Sequence, residues 1–503
     1  MPSAENQRIA KNTLFLYFRM GVTIIVNLYA VRVVWQVLGI EDYGIYNVVG
    51  GIVLMFQFLN NSMVTSSQRY LSYELGAGGK RLNEVFSISL RVHYILAIFI
   101  LILAETIGLW FLNYKLNIPI DRMSAANVVY QCSIITFLVT VISVPYNACI
   151  VAHEHMKIYG YIGILEVILK LAVIFLLMIM PFDKLITYSL MILIVQLLIR
   201  FIYQVYCKVK FPECKYVNYK GSTLQRELLF FAGWSFIGNM GFSIRDQGLN
   251  ILVNMFFNVT MNAAKGVAFQ VTNVIRNFAA SFQMALNPQI TKLYAAGRVD
   301  EMLLLLGRGC KFSLVLVMII SLPLYFEAEF ALSLWLGNVN EYMVAFLRLS
   351  LFVVIIEAVV GPLVTALLAV GHIRKFQIVI CFIMLLNIPF AWVWLKFHLD
   401  PYIVMWVTII TSIIGVFVRI ILLKEHIKFN VVYFIFRFFI PPIALFALSA
   451  ILLWYTYPIF PATISGVLCF CAYSLVLMCI FAFIICFTKI ERRAILKMIV
   501  KRI

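Results

Sequence analysis

Fourteen apolar stretches, bounded by polar residues or by proline and glycine, run the length of this 503-residue chain. Their limits are 12–38, 43–67, 86–112, 123–150, 158–181, 185–207, 228–256, 262–290, 303–326, 342–370, 376–397, 402–423, 434–456 and 459–487. At about 1.5 Å of rise per residue, each can cross a hydrocarbon layer about 30 Å thick as a helix. In lipid, backbone N–H and C=O groups must find partners inside the protein, and a helix pairs them within one segment. Composition agrees, with 63% of residues apolar and 12% charged, against about 25% charged in soluble domains. The expected fold class is an all-α polytopic membrane protein with fourteen transmembrane helices.

The basic residues test that count. If every stretch crosses, alternate loops lie on opposite sides, and cytoplasmic loops carry the excess of Lys and Arg. The side shared by both termini holds 26 of the 40 Lys and Arg, and the opposite side holds 5: Lys115, Arg122, Lys184, Lys265 and Lys396. A missed or invented helix would invert the pattern downstream, and no inversion occurs. Both termini are expected in the cytoplasm. The net charge of +18 then belongs to cytoplasmic loops and calls for no nucleic-acid partner. The first stretch is too long for a signal peptide and lacks a small-residue cleavage site.

The longest polar interruption, Lys208 to Arg226, falls between stretches six and seven. Gly44, Gln68 and Gly76 recur as Gly266, Gln289 and Gly297, at separations of 222, 221 and 221 residues. Pro145 recurs as Pro362. An even number of helices per half gives both halves the same topology, so the two six-helix halves form a parallel pseudo-twofold repeat. The expected organisation is an N-terminal half at 1–207, a linker at 208–227, a C-terminal half at 228–423, and two further helices with a basic tail at 424–503.

Polar residues inside apolar stretches mark function, because lipid-facing positions stay apolar. With 100° per residue, Asn12, Arg19, Thr23 and Asn27 share one arc of helix one. Helix two carries Gly50, Gln57, Asn61 and Gln68 on one stripe. Helix seven carries Ser235, Asn239, Ser243, Asp246, Asn250 and Asn254 on one face, with Arg245 at its edge. Helix eight carries Gln270, Asn273, Asn277 and Ser281, flanked by Arg276. An arginine at membrane depth costs about 2.5–3.5 kcal/mol, so it needs a partner or a wet cavity. Arg19, Arg32, Arg245 and Arg276 outnumber Asp246, the one acid within these four spans. Such a surplus suits an anion bearing phosphate groups, which guanidinium binds as a bidentate fork. Arg32 lies near the outer end of its helix, within snorkelling reach of the interface. Glu166 and Lys170 form an i, i+4 pair. Glu357 sits mid-membrane, nine residues from Arg348. With Asp246, these three residues are the candidates for ion coupling.

The sequence carries no P-loop and no acid/base pair outside the membrane, so neither an enzyme nor a bound cofactor is expected. Ten cysteines lie mostly in apolar runs and read as small packing residues. His153-Glu154-His155 sits in a short loop without further ligands nearby in sequence, and no metal is expected there.

Two segments carry a family likeness: NTLFLYFRMGVTIIVNLYAVRVVWQVLGIEDYGIYNVVGG (Asn12 to Gly51) and SSQRYLSYELGAGG (Ser66 to Gly79). With fourteen stretches in two halves and two extra helices, the chain resembles the polysaccharide transporter (O-antigen flippase) family. That family belongs to the multidrug/oligosaccharidyl-lipid/polysaccharide exporter superfamily. The resemblance implies a flippase moving undecaprenyl-pyrophosphate-linked oligosaccharide from the cytoplasmic to the periplasmic leaflet of a bacterial inner membrane. Its partners would be that substrate, membrane lipids, a polysaccharide polymerase and glycosyltransferases. Related lipid II flippases line a cationic cavity with arginines of the first helices and of helix eight, positions comparable to Arg19, Arg32 and Arg276. Alternatives are a lipid II flippase or an ion-coupled multidrug exporter. Helix one lacks the acidic cluster of such exporters.

Overall fold

The computed structural model describes residues 4–54, 56–114, 118–217, 222–257, 259–336, 339–371, 373–397, 400–461, 463–488 and 492. Among them the regular structure is helical throughout. The principal helices in chain order are α1 (Ala4–Leu54), α2 (Gln57–Gly76), α3 (Leu82–Tyr114), α4 (Ile120–Ala152), α5 (Met156–Ile179), α6 (Lys184–Lys210), α7 (Ser222–Phe256), α8 (Val259–Ala295), α9 (Val299–Phe326), α10 (Glu341–Val370), α11 (Ile373–Phe397), α12 (Ile403–His426), α13 (Val431–Ile459) and α14 (Ile464–Cys486). Ten of these, α3 to α6 and α9 to α14, are long and apolar enough to cross a membrane. The four other expected stretches fall on α1, α2, α7 and α8, the helices that carry the polar stripes.

One expectation needs correction. The sequence predicts a turn at Ile40–Gly44, whereas the backbone stays helical from Ala4 to Leu54. The helical run nevertheless bends back. Tyr29 packs beside Phe175 of α5, ring centroids 6.4 Å apart, and Tyr46 beside Tyr188 of α6 at 5.1 Å. Phe175 and Tyr188 each lie about one turn from the connection between α5 and α6, while a straight helix would separate Tyr29 from Tyr46 by about 25 Å. Asp42 stands between them and meets Arg122 at 2.5 Å, and Arg122 in turn holds Asp183 at 2.6 Å. The two carboxylates on one guanidinium fasten the bend to the first turn of α4 and to the α5–α6 connection.

The chain divides into two compact units, one of residues 11–236 and one of residues 237–503 with 1–10. The chain passes from one to the other within α7. In the first unit α4 is the central helix, with 67% of its apolar window buried. In the second, α10 and α12 are the most enclosed, while α13 and α14 are 22% buried and leave most of their apolar surface for lipid. α13 packs on α9 where Gly307 leaves room for the Phe438 ring, which a Cβ would approach to 2.3 Å.

Proline explains the main interruptions. Pro389 lacks an N–H and crowds the carbonyl four residues back, so α11 breaks between Leu385 and Asn387. The buried Asn387 amide donates to the Met384 carbonyl at 3.0 Å and accepts from the Thr411 hydroxyl at 2.8 Å. Not every proline interrupts its helix: Pro145 and Pro288 sit inside continuous helices. Pro362 breaks its helix.

Candidate functional site

Pro362 crowds the Ala358 carbonyl, and α10 parts into Glu341–Glu357 and Val360–Val370. Gln283 of α8 takes up the freed carbonyl, its Nε2 donating to Ala358 O at 2.9 Å. Gly361 makes room for that amide, since a Cβ there would come within 1.9 Å of Gln283 Oε1. The break leaves Glu357 as the last residue of its segment, beside α7 and α8.

Both Glu357 oxygens are occupied by arginine. Oε1 accepts from Arg245 Nη1 at 3.1 Å, and Oε2 meets Arg276 Nη2 at 3.1 Å. Arg245 is 1% exposed; its Nε also donates to Asp246 Oδ1 at 2.9 Å, and its guanidinium stacks on Phe242 at 4.3 Å. Arg419 of α12 is 4% exposed, with Nη1 on its own Gly415 carbonyl at 2.9 Å. A cavity of about 210 Å³ opens among these groups, lined by Arg276, Gln283, Glu357, Met384, Ser412 and Arg419 with apolar neighbours. Arg276 Nε, Arg419 Nε and Ser412 Oγ are buried without a protein hydrogen-bond partner. Three guanidinium groups face two carboxylates, so the site keeps a positive excess in a setting where an unmatched charge is costly. An anion entering the cavity would compensate it.

Glu357 thus finds its partners on α7 and α8 rather than on its own helix; Arg348 instead donates to the Tyr325 carbonyl at 3.1 Å. Arg245 is enclosed, not at the edge of an open face. Sequence reasoning missed Arg419, Gln283 and Ser412. Arg419 was legible as a cation inside an apolar run, but its place seven residues from the end of α12 is one that snorkelling would account for.

The remaining candidates are spread out. Asn250 accepts from Lys265 Nζ at 2.8 Å. Asn239 and Asn273 are half-buried, and Asn277 is exposed. In the first unit, Gln57 donates to Asn61 at 3.1 Å, and Glu166 pairs with Lys170 at 2.6 Å. Asn12 donates to the Glu154 carbonyl at 3.4 Å and so serves the α4–α5 connection. The side chains of Arg32, Asn27 and Asn254 lie outside the described residues.

Arg19 is different. Its guanidinium lies over the Tyr159 ring of α5 at 4.5 Å, and Gly163 admits it, since a Cβ there would sit 2.3 Å from Arg19 Nε. Among the described residues it has no carboxylate partner. A half-buried arginine held by an aromatic face and a glycine, with its hydrogen-bonding edge free, is ready to receive an anion.

The fold is that of the MATE transporters. A MATE protein solved in complex with MaD3S superposes with a TM-score of 0.70 over 84% of this chain and 96% of that one, at 14% identity. An outward-facing multidrug resistance MATE family transporter of the MOP superfamily gives 0.70 over 84% and 95%, also at 14% identity. A point mutant of the Vibrio cholerae MATE transporter VcmN gives 0.69 over 86% and 99%, again at 14%. No family model and no curated protein matches the sequence.

Proposed function

We propose that this chain is a membrane flippase for a lipid-linked oligosaccharide, carried by an undecaprenyl pyrophosphate, and that it works by alternating access. The observation that carries the reading is Arg19, an arginine in an apolar helix with no carboxylate partner among the described residues. Arg276 and Arg419 support it, with unpaired nitrogens at a cavity that has a positive excess. Arg19, with Arg32, would hold pyrophosphate oxygens, and the Gln57, Asn61, Asn239, Asn273 and Asn277 amides would meet sugar hydroxyls. Arg245 would act through Glu357, holding it against Arg276. The apolar groove of about 190 Å³ among α9, α10 and α13, lined by Tyr325, Phe352, Phe446 and Trp454, supports a path for the lipid tail along the helices outside the repeat. Transport would proceed by alternating access, in a bacterial inner membrane with both termini cytoplasmic.

The second reading, an ion-coupled multidrug exporter, draws on Asp246 and Glu357. Both carboxylates are already bound by arginine, which favours an anionic substrate over a cationic drug. Arg19→Ala and Arg276→Ala are expected to abolish surface polysaccharide and to accumulate the lipid-linked precursor inside the cell. Normal polysaccharide in both variants overturns the cationic-site reading. Drug resistance conferred by the wild type and lost in Asp246→Asn would establish the exporter instead.

A further inference from the structure

Away from the arginines, soft and nitrogen donors converge where the end of α4 meets the short turn Pro212–Cys214 that follows α6. Cys149 and His153 are four residues apart, one helical turn along the same face. Glu213 and Cys214 come from the turn. Cys149 Sγ lies 3.5 Å from Cys214 Sγ and 3.9 Å from Glu213 Oε1. Glu213 Oε1 also contacts His153 Nε2, and the donor atoms of Cys149, His153 and Glu213 all lie within 4.8 Å of one another. Cys149 and Cys214 are each 1% exposed and Glu213 6%. The His153 ring is stacked on Phe211, centroids 4.3 Å apart and 12° from parallel, which sets its direction. The neighbouring His155 turns away to the Tyr206 hydroxyl at 2.9 Å. His153 thus belongs to a donor cluster that the loop sequence did not reveal, and His155 is not part of it.

We propose that Cys149, His153 and Glu213 bind one zinc-type dication, with Cys214, which touches Cys149 alone of the three in this arrangement, turning in as the fourth ligand, and that the metal clips the segment after α6 to the end of α4. With zinc–sulfur bonds of about 2.3 Å in a tetrahedron, two thiolates stand about 3.8 Å apart and a thiolate and a carboxylate oxygen about 3.6 Å apart. Both observed separations fall within a few tenths of an ångström of these edges. A cation at the centre would replace the His153–Glu213 contact with two metal bonds. The donor set selects the metal, because two thiolates and an imidazole suit zinc, whereas magnesium and calcium take oxygen ligands. The sulfurs are too far apart for a disulfide bond of about 2.05 Å. Cys207, whose thiol lies on the Tyr146 carbonyl at 3.5 Å, is not needed to complete four ligands. The ligands come from segments about sixty residues apart, so the metal would anchor the start of the polar connection to α7. This inference is independent of the substrate reading.

The test is metal content of the full-length chain, purified in detergent under reducing conditions without chelator. Wild type and a Cys469→Ser control are expected to hold one zinc per chain. Cys149→Ser and Cys214→Ser are each expected to lose about tenfold or more in zinc affinity. Cobalt(II) substitution should give a thiolate-to-metal charge-transfer band in wild type that both variants lack. If the cysteine variants do not accumulate, His153→Gln carries the same comparison at a side chain that is already partly exposed. Three results would overturn the proposal: no bound metal in wild type whose thiols alkylate fully, a Cys149–Cys214 disulfide recovered from acid-quenched cells, or one zinc per chain retained in the Cys149→Ser, Cys214→Ser double variant.

Discussion

Replacing Glu357 by glutamine changes its charge and almost nothing of its shape. In the native protein each carboxylate oxygen is held at 3.1 Å by a different arginine. Glutamine keeps one acceptor and turns an NH₂ toward the other guanidinium, donor against donor. The Arg245 contact dominates the cost, since the Arg245 side chain is 2% exposed and the Arg276 side chain 24%. Breaking a buried pair from one side costs about 3–5 kcal/mol. In a unit the size of residues 237–503, about 2 °C per kcal/mol puts the expected loss at about 6–10 °C in thermal midpoint, read by intrinsic fluorescence on detergent-purified protein. Adding Arg276→Gln removes the second charge as well, and the double variant should recover about 1–2 kcal/mol relative to additivity. A Glu357→Gln midpoint within about 1 °C of wild type would refute the reasoning. So would a double variant that merely adds the two losses.

Three further perturbations probe other parts of the molecule. Gly163→Ala places a methyl 2.3 Å from Arg19 Nε; the flexible arginine should yield at about 1 kcal/mol or less, while polysaccharide export falls as in Arg19→Ala, and unchanged export would show that the Arg19 position is unimportant. Burial would raise the Asp183 carboxyl, but Arg122 outweighs it and holds the group below its ordinary value of 3.8. Because the folded value is the lower one, this stabilisation is present above about pH 4 and lost as pH falls through the folded value. Thermal midpoints between about pH 6 and pH 3 should therefore drop more steeply in wild type than in Arg122→Gln, and parallel curves would exclude the pair as a source. Tyr130 donates to the Ala104 carbonyl at 2.8 Å, at the start of a single π-turn in α3; Tyr130→Phe should cost about 1 kcal/mol in denaturant unfolding, and an unchanged midpoint would mean that the π-turn holds without it.

Much of the architecture was legible because lipid imposes its rule locally. Windows such as 185–207 and 303–326 needed no tertiary information and lie within α6 and α9. The polar stripes were legible for the same reason, since a 100° step is a property of the backbone. The bend near Asp42 was only half legible: the two acids and the glycine read as a loop, whereas Arg122, 80 residues on, holds the reversal while the backbone stays helical.

The sequence by itself determined which segments are helical, which faces are polar and that several arginines lie among apolar residues. Only the tertiary structure decided which of those arginines are free. Glu357 lies 112 residues from Arg245, and its reach depends on the break at Pro362 and the space at Gly361. Among the described residues Arg19 has no carboxylate partner, because Gly163 admits it to the Tyr159 ring of α5 while Glu166, one turn on, is held by Lys170. Cys149, His153 and Glu213 are joined only when the turn after α6 folds onto α4. Helix period acts between neighbours in the chain, but charge and ligand pairing depend on the depth and rotation of separate helices, and packing sets those.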